Sequence, residues 1–194
     1  TPTLEAIRQQ GIYLDRYYTA PVCSPSRSSL LTGRQPWSIG MQHYDTIMPA
    51  STAALPLNVS TMAELLRDRG YACHAIGKWH AGYARWENTP TQRGFVSHKG
   101  FFQGELTYVN HTFRVPDNFV PRFVNITGYD WWDGKTPLRN ASGTHAKTLL
   151  DAYADEVLDT TEAPFFLYYA HQLAHVPLEP PPGPEEPHCT QISD

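Results

Sequence analysis

Three short blocks of this chain carry side chains equipped for chemistry. The first is Pro21-Val-Cys-Ser-Pro-Ser-Arg-Ser-Ser-Leu-Leu-Thr-Gly-Arg34. It places the Cys23 thiol just before a predicted helix over Ser26 to Thr32, with Ser24 as its cap, Pro25 in its first turn and Gly33 as its stop. A helix start offers free backbone N–H groups and the positive end of a dipole, which suits either a thiolate or a bound tetrahedral anion. Arg27 and Arg34 add fixed charge with planar donors matched to oxyanions. On local physics alone the same pattern also describes a half-buried cysteine packed near an ordinary cap.

The second block is Gly70-Tyr71 followed by Ile76-Gly-Lys-Trp-His80. Lys78 and His80, each taken alone, read as a solvated loop lysine and a satisfied histidine. Gly77-Lys78 is not a phosphate loop, because the Gly-x-x-x-x-Gly-Lys-[Ser/Thr] spacing is absent. The third block, Pro164-Phe-Phe-Leu-Tyr-Tyr-Ala-His-Gln-Leu-Ala-His175-Val-Pro177, ends an apolar run on two histidines. His171 and His175 have the spacing of zinc ligands on a helix. The glutamate of such a site is missing and Pro177 discourages a helix, so zinc is the weaker reading.

The elements that must position these groups alternate. Thr1 and Pro2 open a first helix with Leu4 and Ile7 on one face and Gly11 at its end. Ile12 to Tyr18 reads as a strand. Thr61-Met-Ala-Glu64 is a capping box opening a helix that buries Met62, Leu65 and Leu66 and stops at Gly70. Tyr71 to Ile76 follows as a strand, with Gly77 to Tyr83 as the loop after it. Leu106 to Val109 is strand-like within a segment rich in Gly, Pro, Asn and aromatics. A longer helix from Thr144 carries Ala146, Leu149, Leu150, Tyr153, Val157 and Leu158 at helical spacing. Phe165 to Ala170 is short enough for a buried strand, and His171 to Pro187 reads as loop. This order predicts an α/β fold with a mainly parallel or mixed sheet flanked by helices. Ligands of such sheets sit beyond the carboxyl ends of the strands, which selects the loops around Cys23, Lys78 and His175.

Composition excludes several classes. The 194 residues suffice for one domain. Fifteen Lys+Arg against nineteen Asp+Glu give a net charge of −4, with no basic run for nucleic acid or a polybasic membrane patch. No apolar run approaches the roughly 18 residues of a membrane span. Asn58, Asn110, Asn125 and Asn140 each begin an acceptor sequon for glycosylation, which points to the secretory pathway. Cys23, Cys73 and Cys189 make no disulfide framework and no zinc motif. Thr1 is not an initiator Met and opens no signal-peptide pattern, so both ends read as cut edges.

Cys23-x-Pro25-Ser26-Arg27 followed by Leu30-Leu31-Thr32-Gly33-Arg34 resembles the signature of the type I, formylglycine-dependent sulfatases. The second block resembles that family's second signature, with Cys73 in place of the usual Ser or Thr and Ala81-Gly82 in place of Leu-Gly. The third is similar to the strand that delivers an active-site histidine, here His175. Thr1 to Glu5, Leu14 to Tyr18, Gln92 to Phe95 (with Val96 in place of an acidic residue) and Gly128 to Trp131 are also similar to family segments. The spacing is most like that of arylsulfatase B-like enzymes. Asp130, Trp131, Trp132 and Asp133 either touch substrate or form a hairpin with aromatic packing, the latter being the better reading.

The resemblance implies an alkaline-phosphatase-like fold and a sulfuric ester hydrolase acting on aryl sulfates or sulfated carbohydrates. Cys23 would be oxidised to formylglycine by a formylglycine-generating enzyme, and its oxygen would be a ligand of one Ca2+. Arg27 would hold the resulting diol, Lys78 would bind sulfate, His80 would be the base, and His175 would bind sulfate and protonate the leaving alcohol. The remaining calcium ligands fall outside residues 1–194. The resemblance therefore implies the N-terminal part of a catalytic domain, incomplete and inactive alone, from an extracellular or lysosomal enzyme. The alternatives are a truncated or degenerate non-catalytic homologue acting as a binding module, and a phosphatase or phosphodiesterase of the same superfamily.

Overall fold

The central strand β1, Ala72–Lys78, is flanked on both sides by parallel neighbours, β2 (Ser97–Phe101) and β7 (Phe165–Ala170). The structure is a computed structural model that describes residues 2–42, 47–49, 51–114 and 127–181. Beyond β2 the sheet turns antiparallel through the hairpin β5 (Trp132–Asp133) and β6 (Thr136–Pro137), giving the order β6-β5-β2-β1-β7. A separate ribbon pairs β3 (Thr112–Arg114) with β4 (Thr127–Tyr129). The expected mixed α/β architecture is present.

Alternation along β1 feeds two cores. Cys73 and Ala75 point to one face, where they meet Leu31 of helix α2 (Cys23–Thr32), Ala63 of helix α3 (Met62–Arg67), Trp79 and Phe95. Ile76 points to the other, against Phe101, Trp131 and the Ala146, Leu150 and Ala154 stripe of helix α4 (Ala146–Thr160). Helices therefore cover both faces of the parallel part of the sheet. The Thr61–Glu64 capping box forms in full, with the Thr61 hydroxyl on the Glu64 N–H and the Glu64 carboxylate on the Thr61 N–H.

At the carboxyl end of the sheet the strands close on one another through glycine. Gly77 is in register with Gly100 on one side and Ala170 on the other. A Cβ on Gly77, where φ is +90°, would fall 2.1 Å from the Ala170 carbonyl oxygen; one on Gly100 would fall 2.3 Å from the Gly77 oxygen. The missing side chains let three backbones converge one residue before Lys78.

Several expectations need correction. Helix α1 (Pro2–Gln10) forms, but Leu4 and Ile7 are exposed, and the Thr1 cap lies outside the described residues. Ile12 to Tyr18 is not a strand: no strand pairs with it among the described residues, and Ile12, Tyr13, Leu14, Tyr17 and Tyr18 are exposed. Aromatic and β-branched composition makes a strand only where a neighbour supplies the ladder. The loop before Cys23 therefore follows no strand. Helix α2 starts at Cys23 rather than Ser26, with Val22 at the N-cap; Ser24 is buried and its hydroxyl accepts the Ile47 N–H at 3.4 Å. β1 runs two residues further than expected, taking in Lys78. Leu65 and Leu158 face solvent, and Leu106 to Val109 is irregular chain leading into a turn. β7 is half-buried because it is an edge strand. Within the expected tail loop, only His171 to Pro181 is described.

The crowding around Gly77 gives a test of how the sheet end is built. Gly77→Ala should lower stability by at least about 3 kcal/mol or prevent folding, since the new methyl meets backbone that cannot yield. Thermal or urea unfolding of the variant measures this, and a loss below about 1 kcal/mol would contradict the packing described.

Candidate active site

Cys23 and Arg27 stand one helical turn apart at the start of α2 and face the same way. Arg27 Nη1 donates to the Lys78 carbonyl at 2.8 Å and to the Tyr168 hydroxyl at 3.0 Å, fastening the helix to the ends of β1 and β7. Lys78, the last residue of β1, is only 5% exposed and lines the same cavity as Cys23. Burial first, then the Arg27 charge, pushes the Lys78 pKa down; Cys23 and Glu105 act in the opposite sense. Two cations side by side in a dehydrating site are costly unless an anion joins them.

His80 follows two residues later at φ +50° and is buried. Its backbone N–H donates to the Phe102 carbonyl at 3.1 Å, and its Nε2 lies 3.1 Å from the Ile47 carbonyl. A carbonyl only accepts, so Nε2 carries the proton and Nδ1 is left as a bare lone pair. That Nδ1 is buried and has no hydrogen-bond partner. Burial, then the Lys78 charge, pushes His80 down to about 3, which keeps the ring neutral. Gly104 lies against the ring: a Cβ there would sit 2.6 Å from His80 Cε1.

His175 arrives from the loop after β7. Its N–H donates to the Tyr108 hydroxyl at 3.1 Å, and that hydroxyl also reaches the Gln172 and His175 carbonyls. Its Nδ1 lies 2.9 Å from the Val176 carbonyl and 3.8 Å from a Glu105 carboxylate oxygen. His171 goes elsewhere, to Asp151 at 4.0 Å, so the two histidines have different partners. Cys23, Arg27, Lys78, Tyr168 and His175 line one cavity of about 1030 Å³, with Arg34 and Trp37 also on its wall. His80 is not on that wall but lies within electrostatic reach of Lys78, Arg27 and His175.

The fold thus gathers Cys23, Arg27, Lys78, His80 and His175 from α2, β1 and the loops after β1 and β7. Tyr168, Tyr108, Glu105 and the Ile47 carbonyl belong to the same constellation, and no spacing rule in the sequence singles them out. The Trp132–Asp133 hairpin forms as expected. Trp131 is buried between Phe101 and His111, and Trp132 packs on Phe102 and Trp86. Asn58, Asn110 and Asn140 are exposed, while Asn125 and Cys189 lie outside the described residues. Cys73 is a free, buried thiol whose Sγ lies 3.5 Å from the Ala63 carbonyl; burial pushes its pKa up. Among the described residues, no three His, Cys, Asp or Glu side chains stand together to hold a metal ion. A hard dication needs six or more oxygens, so these residues by themselves do not fit a calcium site. No helix in the described residues is long and apolar enough to cross a membrane.

The family model described as Sulfatase matches residues 1–191. Mouse arylsulfatase J is 33% identical over 184 residues, covering 93% of this chain and 29% of that protein. Pig N-acetylgalactosamine-6-sulfatase is 32% identical, covering 92% of this chain and 35% of that protein. The crystal structure of Ps i-CgsB in complex with k-i-k-neocarrahexaose superposes with a TM-score of 0.68 at 29% identity, over 82% of this chain and 36% of that one. The chain therefore spans about a third of the length of the proteins it matches.

The buried histidines make stability pH-dependent. His98 on β2, with Nε2 3.2 Å from the Gly77 carbonyl, is pushed by burial from 6.5 to about 4. Between those values the unfolded chain binds more protons, so His98 stabilises the fold above pH 6.5 and that stability is lost as pH falls toward 4. Asp130, raised by burial to about 6, has the opposite slope between 3.8 and 6. Comparison with His98→Gln isolates the histidine. The wild type should lose on the order of 3 kcal/mol more than the variant between pH 7 and pH 4, read from urea midpoints; equal losses would contradict the burial.

Proposed function

The chain belongs to the sulfatase family, and from that premise we propose that residues 1–194 are the N-terminal part of a sulfatase catalytic domain whose complete form hydrolyses sulfuric esters at Cys23. The observation that carries this reading is the pair of adjacent cations, Arg27 and Lys78, set against Cys23 on one cavity wall.

A sulfate monoester is an anion, so its hydrolysis requires positive potential where the nucleophile must approach. The Arg27 guanidinium, the Lys78 ammonium and the free N–H groups at the start of α2 supply it. Lys78 binds sulfate oxygens, and Arg27 holds the group at position 23 beside them. Formylglycine made from Cys23, once hydrated, supplies two hydroxyls on one carbon: one to attack sulfur, the other to release sulfate as the aldehyde re-forms. His80 takes the proton for that release at its bare Nδ1. The negative charge of bound sulfate opposes the Lys78 and Arg27 charges that depress this histidine, so its basicity rises when the anion is in place. His175, which also lines the cavity, binds sulfate and protonates the departing alcohol.

The finer readings follow from the same family. A formylglycine-generating enzyme acts on the Cys23 block during maturation. Calcium, if bound, takes the oxygen at position 23 and further ligands from outside the described residues. Sulfated carbohydrate is the favoured substrate class, because relatives include an N-acetylgalactosamine-6-sulfatase. Exposed sequons at Asn58, Asn110 and Asn140 support a secretory route to the lysosome or the exterior.

Complete enzyme from a eukaryotic secretory host should yield a Cys23 peptide about 18 Da lighter than the unmodified sequence. Cys23→Ala should abolish aryl sulfate hydrolysis. A peptide of unmodified mass from an enzyme that still turns over would overturn the reading. Lys78→Ala should lower kcat/KM by about 100- to 1000-fold, the usual cost of removing one charge-stabilising donor, and steady-state kinetics on an aryl sulfate measures it.

A further inference from the structure

Asp130 lies between β4 and β5, is 9% exposed, and takes no part in the chemistry above. Its Oδ2 accepts the backbone N–H groups of Phe102 at 3.0 Å and Gln103 at 2.7 Å. Its Oδ1 accepts the Trp132 indole N–H at 2.6 Å, and its own N–H donates to the His111 carbonyl at 2.9 Å. The carboxylate is therefore fixed on one side and grips two successive amides on the other.

The turn it grips is the one that borders both active-site histidines. The Phe102 carbonyl accepts the His80 backbone N–H at 3.1 Å. Gly104 leaves just enough room for the imidazole, since a Cβ would stand 2.6 Å from Cε1 and 3.2 Å from the bare Nδ1. Glu105 follows, 3.8 Å from His175 Nδ1. Beyond Phe101 the strand ladder has ended, so the two amides held by Asp130 set the path of this turn.

We propose that Asp130 is a positioning residue for sulfate ester hydrolysis: by holding the Phe102 and Gln103 amides it fixes Gly104 and the Phe102 carbonyl against His80, and so the direction in which Nδ1 is presented. The assignment rests on the sulfatase reading for its catalytic meaning and on geometry alone for the orientation of His80. The site needs two acceptors back to back. An asparagine there must turn its NH2 group either toward the two backbone amides or toward the Trp132 N–H, and either choice sets donor against donor.

In the complete enzyme, Asp130→Asn should lower kcat on an aryl sulfate by about 10- to 100-fold while KM changes less than about threefold, because Arg27 and Lys78 lie on other elements. Trp132→Phe, which keeps a ring in place but removes one donor, should show the same split at smaller size. Gly104→Ala presses on His80 directly. The Asp130→Asn/Gly104→Ala double variant should lose less than the product of the single losses, since both act through one ring. Nitrogen-15 NMR of His80 gives a readout free of turnover: protonated Nε2 and bare Nδ1 in the wild type, a mixture of the two tautomers in Asp130→Asn. Should Asp130→Asn fail to fold, Trp132→Phe decides by the same spectrum.

A folded Asp130→Asn enzyme with wild-type kcat, an unchanged His80 tautomer, a KM that rises as much as kcat falls, or fully multiplicative losses would each overturn the assignment. Absence of sulfate ester hydrolysis in the wild type would instead overturn the sulfatase reading, with the His80 spectra still deciding what Asp130 does.

Discussion

A buried lysine, Lys78, set beside a half-buried arginine, Arg27, governs this structure. The chain as a whole is negative, at −4, so the positive potential around Arg27 and Lys78 is local and built. The Arg27 charge works against the Lys78 charge in the same sense as burial does. Arg27 is anchored by the Lys78 carbonyl and the Tyr168 hydroxyl, and Cys23 favours the charged form of Lys78. Cys23, Arg27 and Lys78 line one cavity, the place proposed for the sulfate.

The rest of the fold can be understood as the means of holding that pair. Glycines at the carboxyl end of β1 and β2 bring the strand backbones close enough for Lys78 to emerge beside the start of α2. The turn after β1 places His80 behind the cavity, and the turn after β2 presses Gly104 on its ring. Tyr108 holds the loop after β7 that brings His175 to the cavity. Most of the polar contacts that hold these groups are to backbone. The site is therefore sensitive to the path of the chain and not only to the residues that touch substrate.

Much of this was legible in the sequence, and the reasons differ by element. The Thr61 capping box, the stripe of α4 and the short run of β7 are local patterns that form because their periods match their structures. The Cys23 block was legible because the chemistry is compressed into contiguous residues. Ile12 to Tyr18 has the composition of a strand and is not one, because pairing is a property of a neighbour that the segment itself does not encode. Tyr168, Glu105, Tyr108 and the Ile47 carbonyl were invisible for a similar reason. They join the site through space, from positions tens of residues away, and their types are unremarkable where they stand. The sequence places Asp130 beside a hairpin, which it borders; its hold on the turn after β2 is a contact through space that local pattern does not encode.

The central claim is that Arg27 and Lys78 form a sulfate site beside Cys23. Calorimetric titration of the complete enzyme with inorganic sulfate tests it most directly. The account predicts binding of one sulfate that weakens as chloride is raised and disappears in Lys78→Ala. Equal sulfate affinity in the wild type and in folded Lys78→Ala would contradict it.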